Sequence, residues 1–293
     1  MNFLIFFFKT FYIIIKNISL YYVNLFFCNN SKKELIDFYT IKLSKELSNL
    51  NIFFTKLLQT LSGNYNLLSP SIINELHYLS NNVDYSKNDI DIDTLEIISN
   101  DYNIKINNYY KPINSGTISL VFIGYDENTN IKYAVKIKRK NIEEKLEESI
   151  LHFGRIISFL NCFSYFKKLN LKLAFDENIK SFTNQLNFKC EVNNIKKFKN
   201  LNSNMNNIVI PDVIEYITKQ HDNIIIMNFI EGITLRQLDD FDKEKYCKIV
   251  TNFGLKSILF DGYFHSDLHQ GNILFIKNEL NENDNNGNKK IEY

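Results

Sequence analysis

The sequence predicts an α+β fold, built as two lobes behind a helical N-terminal extension. Three observations lead there. Apolar residues recur at three- and four-residue steps between 33 and 80. From about residue 104 the pattern changes to short strands divided by turn residues. Late in the chain a tight polar knot lies between apolar flanks, in the run from Gly262 to Phe275. The length of 293 residues holds one two-lobed domain with an extension, or two small domains, and apolar content of 45% supplies a core, which excludes a disordered chain. A net charge of +1, with no basic stripe interleaved with aromatics, gives no ground for a nucleic-acid partner. Cys28, Cys162, Cys190 and Cys247 are scattered without a C-x-x-C pair, and they read as buried or free thiols of a reducing compartment.

Residues 1–28 are strongly apolar, with no acidic group before Glu34. Lys9, Lys16-Asn17 and Asn24 recur at about seven residues, which on a helix makes one narrow polar stripe. Lys9 and Lys16 interrupt the roughly 20 apolar residues that a membrane span needs. The segment reads as an interfacial membrane helix or a targeting segment, and the plain alternative is a buried N-terminal helix. No positive charge precedes the apolar stretch and Arg is absent from it, which counts against signal and transit peptides.

Leu35, Ile36, Tyr39, Leu43, Leu47 and Leu50 predict one helix, and the run Phe53 to Ser62 a second. Ser69-Pro70 fits a cap followed by Pro at the first helical position, opening a helix through Leu79. Residues 81–93, rich in Asn and Asp, read as a linker.

Ile113 to Tyr125 holds a small polar turn, Asn114-Ser115-Gly116-Thr117, then a strand. An Asp126-Glu127-Asn128 turn and the strand Lys132-Tyr133-Ala134-Val135-Lys136-Ile137-Lys138 complete a hairpin-like unit. In such a unit a small-residue loop can approach phosphates through backbone N–H groups. Lys136 stands within an apolar strand, on the face of Ala134 and Lys138. It reads either as a surface lysine or as the phosphate-pairing lysine of a kinase-type strand.

Residues 142–171 and 180–200 read as helical. A strand lysine of that type needs a helical Glu to hold it extended. Glu191 is the candidate, with a solvated face charge as its plain alternative. Val209-Ile210-Pro211, the strand Ile224-Ile225-Ile226-Met227, and Phe229-Ile230-Glu231-Gly232 follow, the last fitting a hinge between lobes. An amphipathic helix over 243–261 leads to the polar knot, and Ile273 to Ile276 reads as a buried strand leaving it. Beyond Ile276 the composition is Asn/Asp/Glu/Lys-rich low complexity.

The knot, His265-Ser266-Asp267-Leu268-His269-Gln270-Gly271-Asn272, has the H-x-D-x-x-x-x-N spacing of a loop that turns around a reacting phosphate. The aspartate accepts a proton or orients a nucleophile, and the asparagine binds a metal through its amide oxygen. Two rival readings are metal-hydrolase ligation by His265 and His269 with Asp267 between them, and a purely structural loop. Gly271 and the polar cluster favour the kinase-like loop.

From about residue 35 onward the chain resembles the UbiB/aarF-domain family of atypical protein-kinase-like proteins. Phe54-Thr55-Lys56-Leu57-Leu58-Gln59 with Leu67-Leu68-Ser69-Pro70 resembles its K-x-G-Q segment and following helix. Pro112 to Ser119 resembles its Ala-rich nucleotide loop, Ala134-Val135-Lys136 its strand lysine, and Glu191-Val192-Asn193-Asn194 its E-A-x-N helix. Tyr263 through Asn272 resembles its F-H-x-D-x-x-x-x-N loop. Leu58 replaces the glycine of K-x-G-Q, and the family's E-x-D pair falls on Gln185 and Asn187. Gly116 stands for a usual alanine, and Leu120 for a usual glutamine. The Leu-Ile-Asp-Phe-Gly segment that should follow the loop is not reached, so the expectation is a truncated gene product that lacks the magnesium-binding Asp and has an incomplete C-lobe. Asn272 alone makes a poor magnesium site.

The resemblance implies a protein-kinase-like two-lobed fold that binds ATP and magnesium and supports ubiquinone (coenzyme Q) biosynthesis. It implies Lys136 on the α/β-phosphates, Glu191 positioning it, and Ser115, Gly116 and Thr117 at the nucleotide. It further implies Asp267 as base or water-orienting group, Asn272 as metal ligand, and Lys56 and Gln59 reaching in from the extension. A lipid or isoprenoid-quinone intermediate, coenzyme Q biosynthesis proteins and a membrane surface are the implied partners. The implied location is the matrix side of the mitochondrial inner membrane, with a plastid-type organelle as the alternative. Expected divisions are 1–30, a helical extension 31–100, an N-lobe 101–232 and a partial C-lobe 233–293. Leu268-His269 also resembles the loop of aminoglycoside/choline-kinase-like phosphotransferases, which lack the K-x-G-Q segment. A catalytically inactive, pseudokinase-type scaffold is the non-enzymatic reading.

Overall fold

The computed structural model describes residues 2–27, 31–62, 68–81, 83–168, 170–265, 268 and 272–276. Four helices open the chain: α1 (Phe3–Phe27), α2 (Lys32–Leu50), α3 (Ile52–Ser62) and α4 (Pro70–Asn81). The Ser69 hydroxyl accepts from the Ile72 N–H at 3.4 Å, so α4 starts where the Ser-Pro pair predicts. Ser69 and Ser71 both donate to Asp37 of α2, and these two bonds hold the Asp37 carboxyl below its usual range.

Three members of the polar stripe of α1, Lys16, Asn17 and Asn24, face α2, whereas Lys9 is exposed. Lys16 reaches Glu46 of α2 at 2.9 Å, Asn17 donates to the same carboxylate at 3.0 Å, and Asn24 pairs with the Tyr39 hydroxyl. The apolar residues of α1 divide. Phe6 is fully buried, whereas Leu4, Ile5, Phe8, Phe11, Tyr12, Ile15, Ile18, Tyr22, Val23, Phe26 and Phe27 are exposed.

Behind this extension α5 (Ile92–Tyr102), inside a stretch with no predicted element, leads into an antiparallel sheet. Its strands are β1 (Ile104–Ile106), β2 (Asn114–Ser115), β3 (Ser119–Asp126), β4 (Lys132–Lys138) and β5 (Ile224–Asn228). The order is β1-β3-β4-β5, with β2 also pairing β3. Strand alternation sends Leu120, Phe122, Val135, Ile137, Ile224 and Ile226 to one face, where Ile90, Leu95 and Ile98 cover them together with Ile217. Leu120, which stands for a usual glutamine, is a fully buried member of this core. Lys136 pairs with Val121 and Ile225 in the register and so looks toward the opposite face.

Between β4 and β5 lie α6 (Ile142–Leu160), α7 (Ser164–Lys167), α8 (Leu171–Gln185), α9 (Phe188–Leu201) and α10 (Glu215–Gln220). The single helix expected over 180–200 is two, because Leu186-Asn187 breaks it and Asn187 caps α9 by accepting from the Cys190 N–H at 3.0 Å. A second core joins the extension to this region: Phe53 and Phe54 pack on Phe153 with centroids 4.5 and 4.8 Å away, the first tilted and the second edge-on, and Phe6 and Phe182 lie beside them.

After β5, α11 (Asp240–Lys256) packs Tyr246 and its neighbours on Phe275. The buried strand expected over Ile273–Ile276 reduces to one antiparallel bridge, Ile233 to Phe275, with only Phe275 buried and Leu274 half exposed. The thiols of Cys162, Cys190 and Cys247 are exposed rather than buried; Cys28 lies outside the described residues.

Candidate functional site

Lys136 and Glu191 meet. Because α9 buries Phe188 and Val192 against Ile225, Glu191, one turn after Phe188, is carried over the open face of β4. The Lys136 ammonium lies 2.5 Å from the Glu191 carboxylate and 5.3 Å from the centre of the Phe188 ring. The lysine side chain is 22% exposed, so its cation is held at an opening instead of being sealed in the core. Lys138, on the same face, turns to Glu143 at 2.6 Å and also lies over Phe188.

The small-residue loop abuts the far end of this strand pair. Ser115 pairs with Leu120 in the β2–β3 register, the Gly116 N–H donates to the Ser119 carbonyl at 2.9 Å, and Thr117 is buried. In this conformation the Gly116 N–H is therefore committed to closing the turn. Lys56 is buried on α3 and donates to Gln59, one turn on, at 2.8 Å.

The same helix that presents Glu191 also grips the start of the late loop. After α11 a wide turn over Ser257–Asp261 ends at Gly262, whose positive φ of 58° reverses the chain. The Tyr263 hydroxyl then donates to the Asn194 side chain at 2.7 Å, and Lys197 sits 3.9 Å over the Tyr263 ring. Lys256 fastens the other end of α9: it donates to the Leu201 carbonyl at 2.9 Å and pairs with Asp261 at 2.7 Å. A cation at a helix C-terminus also satisfies its free carbonyls and opposes its dipole. Asn272 is exposed beyond this point, while Asp267 and His269 lie outside the described residues.

Sequence reasoning passed over Arg139. Its side chain is 2% exposed and bonds to the loop at Ser115 and Gly116 and to the segment after α4. It stands among the cations Lys136, Lys138 and Lys140, and nothing in the spacing marks it as buried.

Comparison with known proteins bears on this arrangement. The model of the ABC1 atypical kinase-like domain matches residues 97–286. A protein encoded in the hydrogenase 1 5′ region of Clostridium pasteurianum is 32% identical over 81% of this chain and 46% of its own length. Activity of BC1 complex kinase 1, a chloroplastic protein of Arabidopsis thaliana, is 25% identical over 84% of this chain and 37% of its own. The probable protein kinase UbiB of Shewanella piezotolerans is 23% identical over 88% and 48%. The chain thus spans about half, or less, of the length of these relatives.

Proposed function

The chain belongs to the ABC1 (UbiB/aarF) family of atypical kinase-like proteins, and from that premise we propose that it binds ATP as an atypical kinase or ATPase. The Lys136–Glu191 pair carries this reading. A lysine held by a carboxylate at the mouth of a sheet, beside a small-residue loop, fits a polyphosphate. The carboxylate keeps the ammonium extended until phosphate oxygens share it. Lys136 then binds the α/β-phosphates, Glu191 orients it, and the 115–117 loop covers the nucleotide. Asp267 takes the proton of the acceptor or orients water, and Lys56 and Gln59 close the site from the extension. Magnesium, when bound, neutralises phosphate charge, and Asn272 offers it one amide oxygen.

Support of ubiquinone biosynthesis, with a lipid or isoprenoid-quinone intermediate as the acceptor, is proposed together with this chemistry. So are docking on coenzyme Q biosynthesis proteins and residence on the matrix face of the mitochondrial inner membrane. The exposed apolar face of α1 favours a membrane surface. By length and composition α1 could cross a bilayer. Its Lys16, Asn17 and Asn24, however, are bonded along α2, which carries Lys32, Lys33, Glu34, Asp37, Lys42, Lys45 and Glu46. A helix held that way lies in the plane of the interface.

The test replaces Lys136 by Ala. In titration calorimetry of the full chain, ATP affinity falls at least tenfold. In a bacterium lacking its own UbiB, the wild-type chain restores ubiquinone and the variant does not. Unchanged ATP affinity removes the phosphate role of Lys136. Tight binding that is indifferent to magnesium and shows no turnover selects the scaffold reading.

A further inference from the structure

Arg139 sits three residues beyond Lys136, where β4 ends. Its guanidinium donates to the Gly116 carbonyl at 3.0 Å, the Asp84 carbonyl at 3.1 Å, the Val83 carbonyl at 3.2 Å and the Ser115 hydroxyl at 2.8 Å. Asp89 stands 3.5 Å away and supplies the opposing charge. The two acceptor segments are also bonded to each other, Val83 N–H to the Ser115 carbonyl at 3.0 Å and the Ser115 hydroxyl to the Val83 carbonyl at 2.6 Å. The Arg139 N–H, donating to Ile118 at 2.9 Å, carries the β3–β4 pairing one step further.

We infer that Arg139 is a positioning residue: it fixes the 115–117 loop at the Lys138 end of β4 and couples that loop to the helical extension through residues 83–84. A buried guanidinium has five N–H donors in a rigid fork, and an unmade bond to any of them is costly. The loop and the 83–84 segment therefore cannot part without stranding a buried charge. Residues 83–84 follow α4, so movement of the extension reaches the loop through this joint, and by linkage a ligand under the loop acts back on the extension. Lysine, a point charge on a flexible stem with three donors in place of five, lacks the planar fork that meets the loop and the 83–84 carbonyls together.

The inference rests on the 115–117 loop being the nucleotide loop, and the experiment separates the two ideas. Hydrogen exchange by mass spectrometry is followed in the full chain for wild type, Arg139→Gln, Arg139→Lys and Ser115→Ala, each with and without mantADP. In R139Q, residues 83–86 and 113–119 exchange at least tenfold faster while 120–126 and 132–137 keep their protection, and mantADP affinity falls at least tenfold. R139K lies between R139Q and wild type, and S115A shows a smaller acceleration at 83–86. In wild type mantADP slows exchange at 83–86, and in R139Q it does not. Unchanged exchange in both segments of R139Q overturns the clamp, and faster loop exchange with full mantADP affinity overturns the positioning role. If wild type ignores mantADP the nucleotide reading fails, and ligand-free exchange alone decides the clamp. Should R139Q not fold, R139K and S115A decide, and wild-type exchange at 83–86 in both overturns it.

Discussion

Individual residues here are judged by what their atoms meet. Gly232 is the clearest case: a Cβ there would stand 2.9 Å from the Leu274 Cβ and 3.2 Å from the Phe275 carbonyl oxygen. The carbonyl is backbone and the Cβ is fixed directly to it, next to the Ile233–Phe275 bridge, so neither can give way cheaply. Gly232→Ala is expected to cost about 1–3 kcal/mol, the range for forced overpacking, read as a lower urea midpoint with unchanged slope. Gly116 is the contrast, because its Cβ would meet only ordinary contacts beyond 3.5 Å, the nearest being the Ser119 carbonyl oxygen at 3.6 Å. Gly116→Ala should leave stability unchanged or raise it by about 0.4–1 kcal/mol. Equal losses in both variants would show that the close approach at Gly232 is not what constrains it. Asn187 is a residue whose chemistry changed its meaning. As an uncharged stand-in for an acidic position it reads as a loss, yet its side-chain oxygen starts α9 and so aims Glu191.

At the scale of elements, α1 is the one whose two faces exchange their ordinary roles. Its Lys16, Asn17 and Asn24 are spent on α2, and the Lys16 hydrogen bond holds the Glu46 carboxyl below its usual range. Much of its aromatic surface faces outward. Each large apolar side chain taken from water is worth about 1.5–3 kcal/mol when fully buried, so several together suffice for binding to a lipid interface. Sedimentation with anionic phospholipid vesicles should carry the wild-type chain down, and Phe8→Ser with Phe11→Ser should reduce the bound fraction severalfold without altering ATP affinity. Equal sedimentation of both proteins would remove the membrane role of this face. α9 is the complementary element: Phe188 and Val192 fasten it to the sheet, Glu191 meets Lys136, and Asn194 and Lys197 hold Tyr263. Both lobes are read through one helix.

For the whole molecule, the decisive contact is between the extension and the kinase-like body. Phe153 on α6 touches Phe6 of α1 and Phe53 and Phe54 of α3, so one ring joins three helices that are far apart in sequence. Phe153→Ala should cost about 3–5 kcal/mol, as expected for a buried aromatic ring, measured by urea denaturation. A loss under about 1 kcal/mol would mean that the rings around it close the gap and that the extension is not anchored there. With Arg139 on one side and Phe153 on the other, the extension is tied to the body at two independent points.

By itself the sequence determined the succession of elements and the residues with chemistry to offer. Helical spacing placed α2 and α3, the Ser69-Pro70 cap placed α4, short apolar runs between turn residues placed β3, β4 and β5, and the order of short motifs pointed to the family. Those signals are local, carried by neighbours one to five residues apart, and they survive without knowledge of the fold. Only the tertiary structure decided the rest. That Lys136 meets Glu191 depends on a contact 55 residues apart, that Arg139 is buried depends on the 83–84 segment folding over it, and that Lys16 and Asn17 of α1 face α2 depends on Glu46. Burial and pairing across such distances depend on packing, and two basic residues that look alike in a row of letters part company only when one of them is covered.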